Sequence, residues 1–94
     1  MPTYILLSRL TNAGATTIKE HPDPITEVNQ EIEAFGAHVV HQYATLGAYD
    51  FVSVVEAPDL CAITRVSVEL GARGSVRIQT LSAVPIDDFI ANLK

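Results

Sequence analysis

Basic residues and cysteine are scarce in this sequence, and tryptophan is absent. Among 94 residues there are six lysines and arginines against eleven aspartates and glutamates, which gives a formal net charge of −5. The basic residues form no run along the chain, so the sequence offers no positive stripe that could neutralise nucleic-acid phosphates. An anionic membrane surface is an equally poor partner. We therefore expect no nucleic-acid and no membrane partner.

Long apolar runs and a secretory signal are also missing. No run approaches the roughly 18 residues of a membrane-spanning helix, and the N-terminus lacks the basic region that begins a signal peptide. These features predict a cytoplasmic protein. The single cysteine, Cys61, cannot form an internal disulfide. Its neighbours Leu60, Ala62 and Ile63 predict a buried helical thiol rather than a nucleophile.

Apolar residues, by contrast, are abundant. Hydrophobic residues make up 48% of the chain and charged residues only 18%. The length predicts one domain over residues 1–94. A domain of this size buries only roughly 60 to 65% of the surface of its extended chain, so apolar surface should remain exposed. That surplus predicts a partner or a ligand.

The spacing of the apolar residues predicts a βαββαβ order. Strands are expected over 3–10, 37–46, 49–57 and 75–84, helices over 24–35 and 59–70, a short C-terminal helix after Pro85, and a loop with at most one helical turn over 13–19. Asp23 is the expected N-cap of the first helix, with Pro24 in its first turn. This order is that of ferredoxin-like α+β folds, with a four-stranded antiparallel sheet and both helices on one face.

The first and third strands carry apolar residues on both faces, which predicts that they are central in the sheet. The fourth strand alternates and is expected at an edge. Since both helices cover one face, the other face is left bare and too apolar for water. The simplest cover is a second copy packed across a two-fold axis, and we therefore expect a homodimer or an assembly of dimers.

Several segments resemble the GYD domain family. They are Met1 to Leu7, the positions Thr11, Gly14, Ile18 and Lys19, and the stretches 43–50, 56–59 and 76–81, with Gly47, Tyr49 and Asp50 as the Gly-x-Tyr-Asp element. The resemblance covers nearly the whole chain. It implies the fold of the dimeric α+β barrels and no assigned biochemical role.

Candidate functional residues are few. In a regular strand His38 and His41, three residues apart, point to opposite faces, so no metal site is predicted, and no cofactor either. His41 and Tyr43 share a face and could hold a polar ligand or act as acid and base, or simply form hydrogen bonds at an edge or interface. Asp50 after the Gly47 turn is expected to accept backbone N–H groups of the hairpin, with a role as general base or ligand anchor as the alternative. The ligand-binding candidates are Tyr4, His41, Tyr43, Tyr49 and Asp50, and no catalytic residue is identified.

Three functional hypotheses remain open. The leading one is a homodimeric domain that binds a small, partly apolar molecule between sheet and helices. The second, which rests on analogy with other dimeric α+β barrels, is a cofactor-free oxygenase or isomerase. The third is a structural or regulatory interaction module.

Overall fold

The computed structural model describes residues 1–21 and 23–94. Within this part of the chain the strands are β1 (Thr3–Leu10), β2 (His38–Ala44), β3 (Phe51–Glu56) and β4 (Val76–Ala83), and the helices are α1 (Asn12–Glu20), α2 (Pro24–Ala34), α3 (Leu60–Gly71) and α4 (Ile86–Leu93). The predicted elements are thus present, with ends shifted by up to two residues. The predicted ferredoxin-like α+β fold is confirmed.

The strands form one antiparallel sheet in the order β2-β3-β1-β4. β1 and β3 are central and β4 is an edge strand, as their apolar patterns predict. Every second residue of the central strands faces the helices. There Tyr4, Leu6 and Val55 join a buried core with Ile63 of α3 and Ile32 of α2.

The opposite side of the sheet, which we call the open sheet face, lies away from this core. Ile5 and Leu7 of β1 and Val52 and Val54 of β3 lie on it and are only half-buried, although they come from the centre of the sheet. Leu81 on β4 is 39% exposed. The sequence correctly predicts an apolar face without helices.

The helix α1 corrects the loop prediction for residues 13–19. Thr11 caps this helix, because its hydroxyl accepts the backbone N–H of Gly14 at 3.1 Å. Ala13 and Ala15 are good helix formers, and Ile18 gives the helix a half-buried apolar residue. The loop prediction rests on residues 13–19 being small and polar, whereas in the structure Thr11 caps a helix in which Gly14 packs against the Ser75 backbone.

Two smaller predictions also need correction. Asp23 has helical backbone angles and makes no side-chain cap bond, whereas Asp59 does cap α3 through a 2.8 Å bond to the N–H of Ala62. Cys61 is exposed rather than buried. The reason is its position on the helix: Ile63, Val66 and Leu70 form the buried stripe of α3, and Cys61 lies outside it.

The C-terminal helix α4 is amphipathic but unpacked. Ile86, Phe89, Ile90 and Leu93 recur at the spacing of one helical face, and each is at least 44% exposed. No residue of α4 is buried. No helix in the described ranges is long and apolar enough to cross a membrane.

Candidate functional site

A cavity of about 170 Å³ lies between the helix-facing side of the sheet and helices α1, α2 and α3. We call it the sheet–helix cavity. A cavity of about 150 Å³ lined by apolar side chains is large enough to hold benzene. Most of the lining is apolar and includes Leu6, Leu10, Val28, Ile32, Phe51 and Ile78. The space therefore suits a small apolar group.

A line of hydrogen-bonded polar side chains runs from α2 to β2 and β3 beside this cavity. Asn29 Nδ2 donates to Gln42 Oε1 at 2.7 Å, and Gln42 Nε2 donates to Ser53 Oγ at 3.2 Å. Gln42 and Ser53 both line the cavity, as does Ser8 on β1. At the far end of the line, Asn29 Oδ1 is buried and has no hydrogen-bond donor among the described residues. A buried acceptor without a donor is uncommon in proteins.

Arg73 is the one ionisable side chain among the described residues that line the cavity. It follows α3, and its guanidinium forms an ion pair with Glu31 of α2 through Nη2 and Oε2. Both side chains are about 40% exposed. An ion pair this open to solvent contributes little to stability, so the guanidinium is able to exchange one carboxylate for another.

One end of the cavity is closed by a tight corner between α1 and the turn before β4. Thr11 donates its backbone N–H to the Ser75 carbonyl at 3.0 Å and its hydroxyl to the Gly74 carbonyl at 2.8 Å. Gly14 lies so close that a Cβ there would overlap the Ser75 carbonyl oxygen. Thr11 and Gly14, two of the positions that resemble the GYD family, therefore have a structural role in holding this corner.

Asp50 also has a local structural contact. Its carboxylate Oδ2 accepts the backbone N–H of Leu10 at 2.8 Å, and its own N–H donates to the Ser8 carbonyl at 2.8 Å. The sequence predicts that Asp50 accepts N–H groups of the β2–β3 hairpin, and this detail is wrong. The carboxylate instead binds the end of β1, the neighbouring central strand, because β3 pairs with β1 as well as with β2.

Tyr49 is held near the open sheet face. Its hydroxyl donates to Gln79 Oε1 at 2.5 Å. The Arg9 guanidinium lies 5.4 Å from the centroid of the Tyr49 ring, and Arg9 Nε donates to the Ala48 carbonyl at 2.9 Å. These contacts connect the Gly-x-Tyr-Asp turn to both central and edge strands.

The histidines of β2 lie differently from the prediction. A bulge between Val39 and His41 shifts the register, so that His38 pairs with Glu56 and His41 with Val54. These partners are two residues apart on β3 and share a face. The bulge therefore overturns the argument that the two histidines point to opposite faces, because a bulged strand no longer alternates.

The bulge does not produce a metal site in the structure described. His38 Nδ1 lies 3.3 Å from Glu33 Oε1, whereas the His41 ring stacks with Tyr43 at a centroid distance of 6.4 Å. No group of three histidine, cysteine or acidic side chains that could hold a metal is found among residues 1–21 and 23–94. His41 and Tyr43 thus form a stacked aromatic pair on the edge strand β2.

The residues predicted to bind a ligand do not come together. Tyr4 is buried in the core at 4% exposure, His41 and Tyr43 are on β2, and Tyr49 and Asp50 are at the hairpin turn. None of these side chains lines the sheet–helix cavity, and their roles stay predictions.

The cavity itself agrees with the predicted place, between sheet and helices. The sequence did not identify its polar lining residues, which are Ser8, Thr17, Gln42, Ser53, Arg73 and Ser75. For Ser8 and Ser53 the sequence does contain an indication, because each is a serine at a helix-facing position of an otherwise apolar central strand.

A sequence model of the GYD domain matches residues 4–93. The chain belongs to the GYD domain family. A curated relative of this GYD protein, from Thermus thermophilus, is 55% identical over 95 residues and is covered in full, as is the present chain. That relative is named glutamine synthetase and cystathionine beta-lyase binding protein.

Solved structures with the same fold are more distant. The crystal structure of MtbAldR superposes with a TM-score of 0.65 at 22% identity, over 89% of this GYD chain. This chain spans about half of MtbAldR, 52% of its length. The crystal structure of TTHA0845 from Thermus thermophilus superposes with a TM-score of 0.58 at 23% identity, over 90% of this chain and 95% of that one. At these identities the two structures support the fold alone.

Proposed function

We propose that this GYD protein is an interaction module that binds metabolic enzymes, with glutamine synthetase and cystathionine β-lyase as its partners. The observation that carries the proposal is the 55% identity, over both full lengths, to a protein named for binding these two enzymes. The proposal corresponds to the third hypothesis from the sequence. Partners of this kind also favour a cytoplasmic location.

The outer side of α3 is the surface that we assign to the enzyme partner. Leu60 and Val68 are 62% and 65% exposed there, and together with Cys61, Thr64, Arg65 and Glu69 they line a shallow groove along the helix. The core-facing side of α3 packs against the sheet, whereas Leu60 and Val68 lie on its other side and are covered by nothing in the described chain. Exposed apolar patches with polar rims are typical of protein-binding surfaces.

The open sheet face has a different proposed role, in self-association. A four-stranded face of this length covers about 500 Å² at the usual spacings along and between strands. Two such faces would bury about 1,000 Å² in total, which is near the lower limit for a stable interface. The apolar face of α4 would add to this area. We therefore propose a homodimer in which both the open sheet face and α4 are covered by the second copy.

The test uses purified full-length chain with glutamine synthetase and cystathionine β-lyase from the same organism. Surface plasmon resonance should detect saturable binding to each enzyme. Leu60→Glu should abolish that binding, because it places a charge on the assigned surface. It should leave folding intact, since an acidic residue in the first turn of a helix interacts favourably with the helix dipole.

Leu46→Glu is the matched control. Leu46 is fully exposed in the β2–β3 turn, so the same substitution there should leave enzyme binding unchanged. If the wild-type chain binds neither enzyme, the proposed function is wrong. If the enzymes bind and Leu60→Glu has no effect, the assignment of the α3 surface is wrong.

A further inference from the structure

The sheet–helix cavity is not used by the proposed enzyme-binding function, and its lining indicates a ligand of its own. We propose that it binds a small apolar monocarboxylate, with the apolar group between sheet and helices and the carboxylate on Arg73. The size, the charge and the polar groups of the lining together define the ligand class.

Size limits the apolar part of the ligand. The cavity of about 170 Å³ is slightly larger than the roughly 150 Å³ that accommodates benzene. An aromatic ring or a short branched chain would fill it, whereas a nucleotide or a long acyl chain would not. The ring would contact Leu6, Val28, Ile32 and Phe51, which come from both the sheet and α2.

Charge selects an anion. Among the described residues of the lining, Arg73 is the one ionisable group, so an ammonium ligand would meet a like charge and no carboxylate on the cavity wall. A carboxylate would accept a charge-assisted hydrogen bond from the guanidinium. Glu31 already fills that role from outside the wall, which makes Glu31 an internal competitor for the same donor.

The polar line on the sheet side adds a second point of recognition. Gln42 and Ser53 reach the cavity and are tied to Asn29, whose buried Oδ1 lacks a donor within the described chain. If the side-chain amides of Asn29 and Gln42 rotate, an amide oxygen of this line becomes free to accept a hydrogen bond from a hydroxyl group on the ligand. The same wall can therefore accept a hydroxylated ring as well as a plain one, without a change in the carboxylate contact.

The test is an NMR titration of the full-length protein with benzoate, phenylacetate and isovalerate. Benzamide and benzylamine are the neutral and cationic controls. At least one carboxylate should shift the backbone amide signals of Gly14, Ser53 and Val76, which line the cavity from α1, β3 and β4. Benzamide should bind at least about tenfold more weakly, because it lacks the charge.

Variants of the ion pair should change affinity in opposite directions. Arg73→Gln should weaken carboxylate binding about tenfold or more, whereas Glu31→Gln should strengthen it severalfold by removing the competitor. A merely structural ion pair would not give opposite signs. Since both side chains are partly exposed, both variants should fold. Val28→Phe should abolish binding by filling the cavity with its own ring.

Three results would overturn the proposal. The first is the absence of any shift with all three carboxylates up to about 10 mM, a concentration that reveals even millimolar binding. The second is equal or tighter binding of benzamide or benzylamine. The third is a set of shifts confined to the open sheet face. These outcomes are independent of enzyme binding by α3, so failure here would leave the proposed function standing.

Discussion

Gly14 offers the sharpest test of the packing at the α1 corner. An ideal Cβ at this position would overlap the Ser75 carbonyl oxygen and lie 2.9 Å from the carbonyl carbon. Carbon atoms in favourable contact are about 3.5 to 4.0 Å apart, and the carbonyl oxygen is closer still to the Cβ than the carbonyl carbon, so Gly14→Ala must push α1 and the turn before β4 apart by about 1 Å or more. Such overpacking costs about 1 to 3 kcal/mol.

The same displacement would stretch the hydrogen bond from the Thr11 N–H to the Ser75 carbonyl, which is 3.0 Å long in the wild type. Losing a hydrogen bond of this kind adds about 1 kcal/mol. We therefore expect Gly14→Ala to lower the free energy of unfolding by about 2 to 4 kcal/mol. At about 4 to 8 °C per kcal/mol for a domain of this size, Tm should fall by at least about 8 °C.

The assay is urea and thermal denaturation followed by far-ultraviolet circular dichroism, because the chain has no tryptophan. Gly71→Ala is the matched control: Gly71 ends α3, and a Cβ there meets no atom within 4 Å. That variant should be as stable as the wild type or more stable by up to about 1 kcal/mol. Because the obstructing atoms belong to the Ser75 backbone, adding Ser75→Gly should not rescue Gly14→Ala. Stability of Gly14→Ala within about 0.5 kcal/mol of the wild type would refute the reasoning.

Three further predictions concern other parts of the molecule. Asp50→Ala should lower the free energy of unfolding by about 1 to 3 kcal/mol, because the Leu10 N–H loses its acceptor. Asp87→Ala, at an exposed residue, is the control. Equal urea midpoints for the two variants would contradict the stabilising role of Asp50. Val54→Lys, on the open sheet face, should convert the proposed homodimer to a monomer in sedimentation velocity; a monomeric wild type, or a dimeric variant, would contradict the proposed interface. Cys61 should react with a thiol reagent in the native protein as fast as in urea, since it is exposed; a rate that rises on unfolding would show that it is protected.

Most of the fold could be predicted from local patterns. The helices α2 and α3 and all four strands follow from the spacing of apolar residues, and the two-sided apolar pattern of β1 identifies it as a central strand. The helix α1 could not be predicted in this way. Gly14 lowers helix propensity, and only the approach of Ser75 from the far end of the chain explains why glycine is needed within that helix.

The candidate site was much less accessible to sequence reasoning. The prediction of a ligand between sheet and helices agrees with the position of the cavity, but the residues proposed for it were chosen for their chemistry and lie elsewhere. Gln42 reaches the cavity only because the β2 bulge changes the phase of the strand, pairing Gln42 with Ser53. Arg73 reaches it from the turn after α3, a position with no local signal.

By itself, the sequence determined the fold class, the order of all the elements except α1, and an apolar surplus larger than a chain of 94 residues can bury. These properties depend on periodicity and composition, which are local or additive. The sequence also placed part of this surplus on the open sheet face, whereas the tertiary structure alone showed the exposed apolar residues of α4, those on the outer side of α3 and the cavity beside Arg73. That division depends on register, on one bulge and on one close backbone contact, and each of these joins residues that are distant along the chain.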